Sequence, residues 1–193
     1  MTLCICLKFC LSHLKVNGKL IVFGLKHMAT INFKGNPIQT QGDFPQVGDQ
    51  APELKLVLAD LSEATLADFA GKKVIFNIFP SVDTAVCALQ LKTFSQKASQ
   101  LDDVVMLFAS MDLPFALNRF CAAEGVDNAV TASDFRHHSL AENYGVKMTQ
   151  GPLAGLYARA TLVLNADHQV VHAELVDDVV NEPDYDAAMA ALG

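Results

Sequence analysis

Lys73-Val74-Ile75-Phe76-Asn77-Ile78-Phe79-Pro80-Ser81-Val82-Asp83-Thr84-Ala85-Val86-Cys87 is the stretch on which the reading of this chain turns. Positions 73–79 are largely apolar on both alternating faces, which predicts a central strand covered by helices. A proline then turns the chain, and Thr84 reads as an N-cap, so Ala85, Val86 and Cys87 fall in the first turn of a helix. Unpaired backbone amides there present about half a unit of positive charge. The thiolate is the nucleophilic form of cysteine, and an ordinary thiol is mostly protonated near neutral pH. A helix start therefore suits a reactive sulfur. Residue type alone also allows a core thiol, because cysteine is among the most buried residues.

Outward from this stretch, the periodicity predicts a short N-terminal hairpin, Thr30 to Phe33 and Pro37 to Gln41, around Gly35-Asn36-Pro37. Gly42 to Pro52 is rich in turn residues, Lys55 to Ala59 reads as a strand, and Ser62 to Phe69 reads as a connector ending at Gly71. After strand 73–79 a helix is expected over 85–101, with Val86, Leu89, Phe94, Ala98 and Leu101 on its apolar face. Val104 to Ser110 is a second apolar strand. A second helix spans Pro114 to Ala123, with Pro114 in its first turn and Gly125 just past its end. Ala129 to Ala132 reads as a short strand and Leu140 to Tyr144 as a short helix closed by Gly145. Ala160 to Asn165 and Gln169 to Leu175 form a hairpin about Ala166-Asp167-His168, and Pro183 to Leu192 a closing helix. The order β-α-β-α, β-hairpin, helix describes a thioredoxin-like α/β fold, a central mixed sheet flanked by helices, with an N-terminal hairpin.

The 193 residues suit one domain with a sizeable core. Hydrophobic content of 51% against 18% charged residues excludes a disordered chain. Four of the fourteen basic side chains and none of the acids lie in residues 1–27, leaving ten basic against twenty-one acidic, a net of −11, over residues 28–193. Such a balance disfavours nucleic acid, whose affinity comes largely from neutralising phosphates. The leader is interrupted by Lys8 and lacks a small-x-small site, so it reads neither as a signal peptide nor as a membrane span. Cys4, Cys6 and Cys10 form C-x-C-x-x-x-C without a second cluster, which is weak as a metal motif. Of the six histidines, His137 and His138 are adjacent and diverge, while His168 and His172 flank a strand. No metal or cofactor is expected. Patterns for nucleotide binding or serine nucleophiles are absent.

Pro80-x-x-x-Thr84-x-x-Cys87 resembles the peroxidatic motif of the peroxiredoxins. Four further blocks resemble their atypical two-cysteine branch, the thiol peroxidases. They are Asp112-Leu113-Pro114-Phe115-Ala116, Arg119-Phe120-Cys121-Ala122-Ala123-Glu124-Gly125, Gly151 to Leu156 with Arg159-Ala160, and Leu175-Val176-Asp177 with Glu182-Pro183-Asp184-Tyr185. The likeness covers roughly residues 28–193, and Met28 begins a segment like the usual family start. Residues 1–27 are accordingly expected to be an extension outside the fold, which native N-terminal sequencing would test.

The resemblance implies a thiol peroxidase that reduces hydrogen peroxide and alkyl hydroperoxides. It implies that Cys87 is the peroxidatic nucleophile and Cys121, 34 residues later, the resolving thiol of an intramolecular disulfide. It further implies that Thr84 orients the peroxide, Pro80 shields the sulfur and Arg159 supplies the active-site guanidinium. Arg119 and Arg136 are secondary candidates. Ala85 departs from the glycine or proline more usual in the motif. Thioredoxin as reductant, a homodimer packed near the site and a cytoplasmic location follow as expectations, the last because cycling thiols need a reducing compartment. A redox relay that hands its disulfide to a partner protein would use the same residues. A dithiol oxidoreductase would need Cys-x-x-Cys, which is absent. The bridge requires α-carbons within about 4.4–6.8 Å, so the first turn at Cys87, and the segment around Cys121, are expected to unwind in each cycle.

Overall fold

The computed structural model describes residues 13–16, 19–22, 28–98, 101 and 103–193. Cys4, Cys6 and Cys10 lie outside them. Within the leader, β1 (His13–Val16) and β2 (Lys19–Val22) pair antiparallel with each other in a separate two-stranded sheet.

The expected N-terminal hairpin forms from β3 (Thr30–Phe33) and β4 (Asn36–Gln41). Its turn uses Lys34 and Gly35, both at positive φ (53° and 75°), the pairing that matches the right-handed twist of the flanking strands. The central strands follow: β5 (Lys55–Leu58), β6 (Glu63–Thr65), β7 (Lys73–Ile78), β8 (Val104–Ser110) and β9 (Val130–Ser133). A two-residue strand, β10 (Lys147–Met148), widens the hairpin to three strands by pairing with β4. Finally β11 (Ala160–Leu164) and β12 (Val170–Leu175) form the expected hairpin. The main sheet runs β12-β11-β7-β8-β9-β5-β6, with β7, β8 and β9 parallel and the outer strands antiparallel. This is the mixed sheet that the element order predicts.

Alternation along β7 builds two cores. Val74, Phe76 and Ile78 face one side, with Leu107, Ala109, Leu162, Leu140 and Tyr144. Ile75 and Phe79 face the other, where helices α1 (Ala85–Lys97), α2 (Pro114–Glu124) and α4 (Tyr185–Ala190) contribute Leu91, Phe94, Leu117 and Ala188. The short α3 (Ser139–Asn143) carries Leu140 into the first core. Gly125 closes α2 in the left-handed conformation, φ 65°, where a side chain would be strained.

Several local expectations need correction. The connector 62–69 contains β6, then a 3-10 turn over Leu66–Phe69 held by Asp68, whose carboxylate accepts from both the amide and the hydroxyl of Thr65. The first helix ends at Lys97 with Ala98 as its cap. Its buried stripe is Cys87, Gln90, Leu91, Phe94, Ser95 and Ala98, whereas Leu89 is 45% exposed. The last helix starts at Tyr185, capped by Asp184 accepting from the Ala187 amide, so Pro183 stays outside it. His172 lies inside β12, not beside it. Among the described residues, no helix is long and apolar enough to cross a membrane.

Candidate active site

Strand β7 delivers Phe79 and Pro80, both buried, to the edge of the helix-covered core. Asp112, just past β8, then shapes the loop. Its carboxylate accepts from Ser81 Oγ and the Val82 amide, each at 2.8 Å, and from Ser110 Oγ at 2.8 Å. Its own carbonyl accepts from Ser133 Oγ. These bonds tie the ends of three parallel strands to the start of α1. Asp112 opens the block Asp112-Leu113-Pro114-Phe115-Ala116, whose spacing by itself gives the carboxylate no role. Its signal is a carboxylate immediately after a buried strand.

Cys87 is buried in the first turn of α1 and is a free thiol. Two groups converge on its sulfur: Thr84 Oγ1 at 2.9 Å and Arg159 NH1 at 3.4 Å. Thr84 occupies the N-cap position but does not cap the helix with its side chain. Its hydroxyl lies between Cys87 Sγ and the Ser81 carbonyl, 3.1 Å away. A hydroxyl has one proton to donate. With a neutral thiol, the S–H can donate to Oγ1 while the hydroxyl donates to Ser81. With a thiolate, the hydroxyl turns to the sulfur. Pro80 lies at the turn into this loop.

Arg159 precedes β11 and is only 2% exposed. Nε and NH2 donate to the Val179 carbonyl at 3.1 and 3.0 Å, and NH1 donates to Gln90 Oε1 at 2.6 Å as well as toward the sulfur. A permanently charged guanidinium dictates the polarity of everything behind it. Gln90 must turn its oxygen to Arg159, so its amide nitrogen donates to Asn77 Oδ1 at 3.0 Å. The same oxygen accepts from Thr161 Oγ1 at 3.2 Å, across the register pair of β7 and β11, and Asn77 Nδ2 is left without a partner. Buried unpaired donors are rare and costly. Here the orphan follows from the fixed direction of the chain Arg159–Gln90–Asn77.

Cys121 lies on α2, half-buried and free, packed at the edge of the same core cluster as Cys87. Its thiol is pushed up from the ordinary value of 9.0 by burial, opposed in part by a hydrogen bond with Thr131. It borders a cleft lined by Leu58, Asn118, Val130 and Thr131. Thus Thr84, Cys87 and Arg159 come together, Pro80 lies buried at the start of the same loop, and Cys121 stands on the next helix. Arg119 is exposed on α2, and Arg136 is engaged by Glu63 at 3.4 Å, so neither joins the group. His137 also contacts Glu63, at 2.8 Å. Among the described residues no three His, Cys, Asp or Glu side chains converge as a metal set.

Known proteins resemble this chain in sequence and in fold. The Redoxin family model matches residues 46–189. A thiol peroxidase of Corynebacterium glutamicum is 46% identical over 165 residues, covering 86% of this chain and 99% of that protein. Among solved structures, a peroxiredoxin-like protein from Aquifex aeolicus superposes with a TM-score of 0.80 at 36% identity, over 86% of this chain and 97% of its own. A thiol peroxidase from Chromobacterium violaceum has a TM-score of 0.77 over 83% of this chain and 94% of its own, and at 24% identity it attests the fold alone.

Proposed function

This chain belongs to the Redoxin family as a thiol peroxidase, and from that premise we propose that it reduces hydrogen peroxide and alkyl hydroperoxides through Cys87 and Cys121. The observation that carries the proposal is the convergence of Thr84 Oγ1 and Arg159 NH1 on one buried sulfur.

The sulfur of Cys87 attacks the terminal peroxide oxygen. The O–O bond breaks, Cys87 becomes a sulfenic acid, and the departing oxygen takes a proton to leave as water or an alcohol. Arg159 and Thr84 stabilise the charge on sulfur before attack and on oxygen as it departs. Pro80 keeps bulk water from the sulfur. The Cys121 thiol then condenses with the sulfenic acid, forming the S–S bond and releasing water. A dithiol protein of the thioredoxin type takes the disulfide by exchange and is itself oxidised. Cys121 faces Thr131 from a different helix, so bridging needs the first turn of α1 and the Cys121 segment to unwind. Exposed Leu113 (50%) and Phe115 (62%), next to Asp112, support a homodimer packed near the site. Recycling by a thioredoxin supports a reducing, cytoplasmic setting. Residues 28–193 form the working domain in this reading, with residues 1–27 an extension.

A peptide map after one equivalent of hydroperoxide tests the scheme, beside a Cys121→Ser control. The expected result is a Cys87–Cys121 disulfide in the parent and a sulfenic or sulfinic acid on Cys87 in the control. Unmodified Cys87 would refute it.

A further inference from the structure

We propose that Asp178 is a positioning residue for Arg159: by gripping the Lys34–Gly35 turn of the N-terminal hairpin, it fixes the Val179 carbonyl that aims the guanidinium at Cys87.

Arg159 has two sides. One side meets sulfur and Gln90 through NH1, and the other rests entirely on a single acceptor, the Val179 carbonyl, through Nε and NH2. A rotation of that carbonyl would swing the fork away from sulfur, because the two donors are rigidly coplanar. Val179 belongs to no strand or helix. Its conformation is set by its neighbours. Its amide donates to the Asn32 carbonyl at 3.0 Å, and Asn32 in turn donates to the Asp177 carbonyl at 2.7 Å, so β3 holds residues 177–179 as a short parallel bridge.

The side chain of Asp178 completes the grip. Its carboxylate accepts from the Lys34 amide at 3.1 Å, the Gly35 amide at 2.8 Å and the Val180 amide at 3.2 Å. Burial pushes this carboxyl up, but the three amide donors outweigh it and leave the group below its usual range. Val179 itself is buried against Ile31 and Ile38 of the same hairpin and against Ala158, next to Arg159. Two amides presented by consecutive positive-φ residues make the Lys34–Gly35 turn a natural pair of donors for a carboxylate. A hairpin at the edge of the molecule is thereby tied through one peptide to the charged group at the sulfur.

The proposal rests on the peroxidase reading where it assigns Arg159 work at Cys87, and the test separates the two. Iodoacetamide labelling of the Cys87 peptide, followed by mass spectrometry across pH in a Cys121→Ser background, uses no peroxide. In Asp178→Ala, labelling near neutral pH should slow about ten- to a hundredfold, the effect of misplacing a charged group by about 1 Å. The pH profile should move upward, and with Cys121 intact kcat/KM for hydroperoxide should fall by a similar factor. Asp178→Asn, which keeps one acceptor oxygen, should fall between. In an Arg159→Met background, Asp178→Ala should add nothing, because both changes act through one guanidinium. An unshifted profile, or an equal loss with and without Arg159, would overturn the proposal. A parent that labels normally yet fails to turn over peroxide would refute the peroxidase reading instead.

Discussion

Replacing Thr84 by valine removes one hydroxyl and little else. Its Oγ1 lies 2.9 Å from Cys87 Sγ and accepts no capping bond from the amides of α1. The backbone at Thr84 is extended, φ −106° and ψ 142°, which a β-branched valine adopts readily. Thr84 is exposed, so the Ser81 carbonyl that also faces its hydroxyl can turn to water. Folding stability should change by less than about 0.5 kcal/mol. The chemical step should suffer far more. A hydrogen bond to a charged group contributes about 1.5–3 kcal/mol, which corresponds to roughly a 10- to 150-fold fall in rate. Stopped-flow measurement of Cys87 oxidation under single-turnover conditions, with a thermal melt alongside, separates these outcomes. Thr84→Ser, which keeps the hydroxyl, should retain most of the rate. A Thr84→Val rate within twofold of the parent would refute the reasoning, as would a serine variant equally impaired.

Two further predictions concern the scaffold. Gly145 sits at φ 63°, and a Cβ there would meet the Asp43 carbonyl carbon at 2.5 Å and the Phe44 amide at 2.8 Å, so neither partner can yield cheaply. Gly145→Ala should destabilise by at least about 2 kcal/mol, lowering Tm by roughly 4–8 °C; an unchanged Tm would contradict this. Tyr157 is buried and donates to Asp134 Oδ2 at 2.7 Å, and its phenol is pushed above its ordinary value of 10.0 by burial and by that carboxylate. Because the folded state holds the phenolic proton more tightly, the associated stability is full below pH 10 and is lost as pH rises toward the folded value. Tyr157→Phe should lose about 1.5–3 kcal/mol at pH 7 and show a shallower decline in denaturant midpoint above pH 10, whereas parallel curves would refute the assignment.

The first helix marks where legibility ended. Val86, Leu89 and Leu101 looked apolar at helical spacing, yet the stripe that turns inward is Cys87, Gln90, Leu91, Phe94, Ser95 and Ala98. Two of those are polar, so an apolar-periodicity rule rotated the helix the wrong way. Gln90 is buried because Arg159 needs an acceptor, and Arg159 is 69 residues further along the chain. Strands β6 and β10 are illegible in the sequence for a related reason. Three- and two-residue strands carry no periodicity of their own and exist only because β5 and β4 offer them ladders. Thr84 does not cap with its side chain, because its Oγ1 is turned toward the Cys87 sulfur and the Ser81 carbonyl and away from the first-turn amides.

Local chemistry was nonetheless enough for the main outline. A buried strand, a proline and a cysteine at a helix start, with the later blocks that resemble the family, pointed to the thioredoxin-like fold and to Thr84, Cys87 and Arg159, which the structure gathers at one sulfur. Each of those signals is local to its own stretch of chain, where backbone geometry and side-chain spacing act directly. Only the tertiary structure decided what surrounds the guanidinium. Gln90, Asn77, Thr161, Val179 and Asp178 come from separate elements, and a buried charge is tolerated only when such distant groups close around it. That closure depends on how the sheet and hairpin bring residues together in space, which no spacing along the chain encodes.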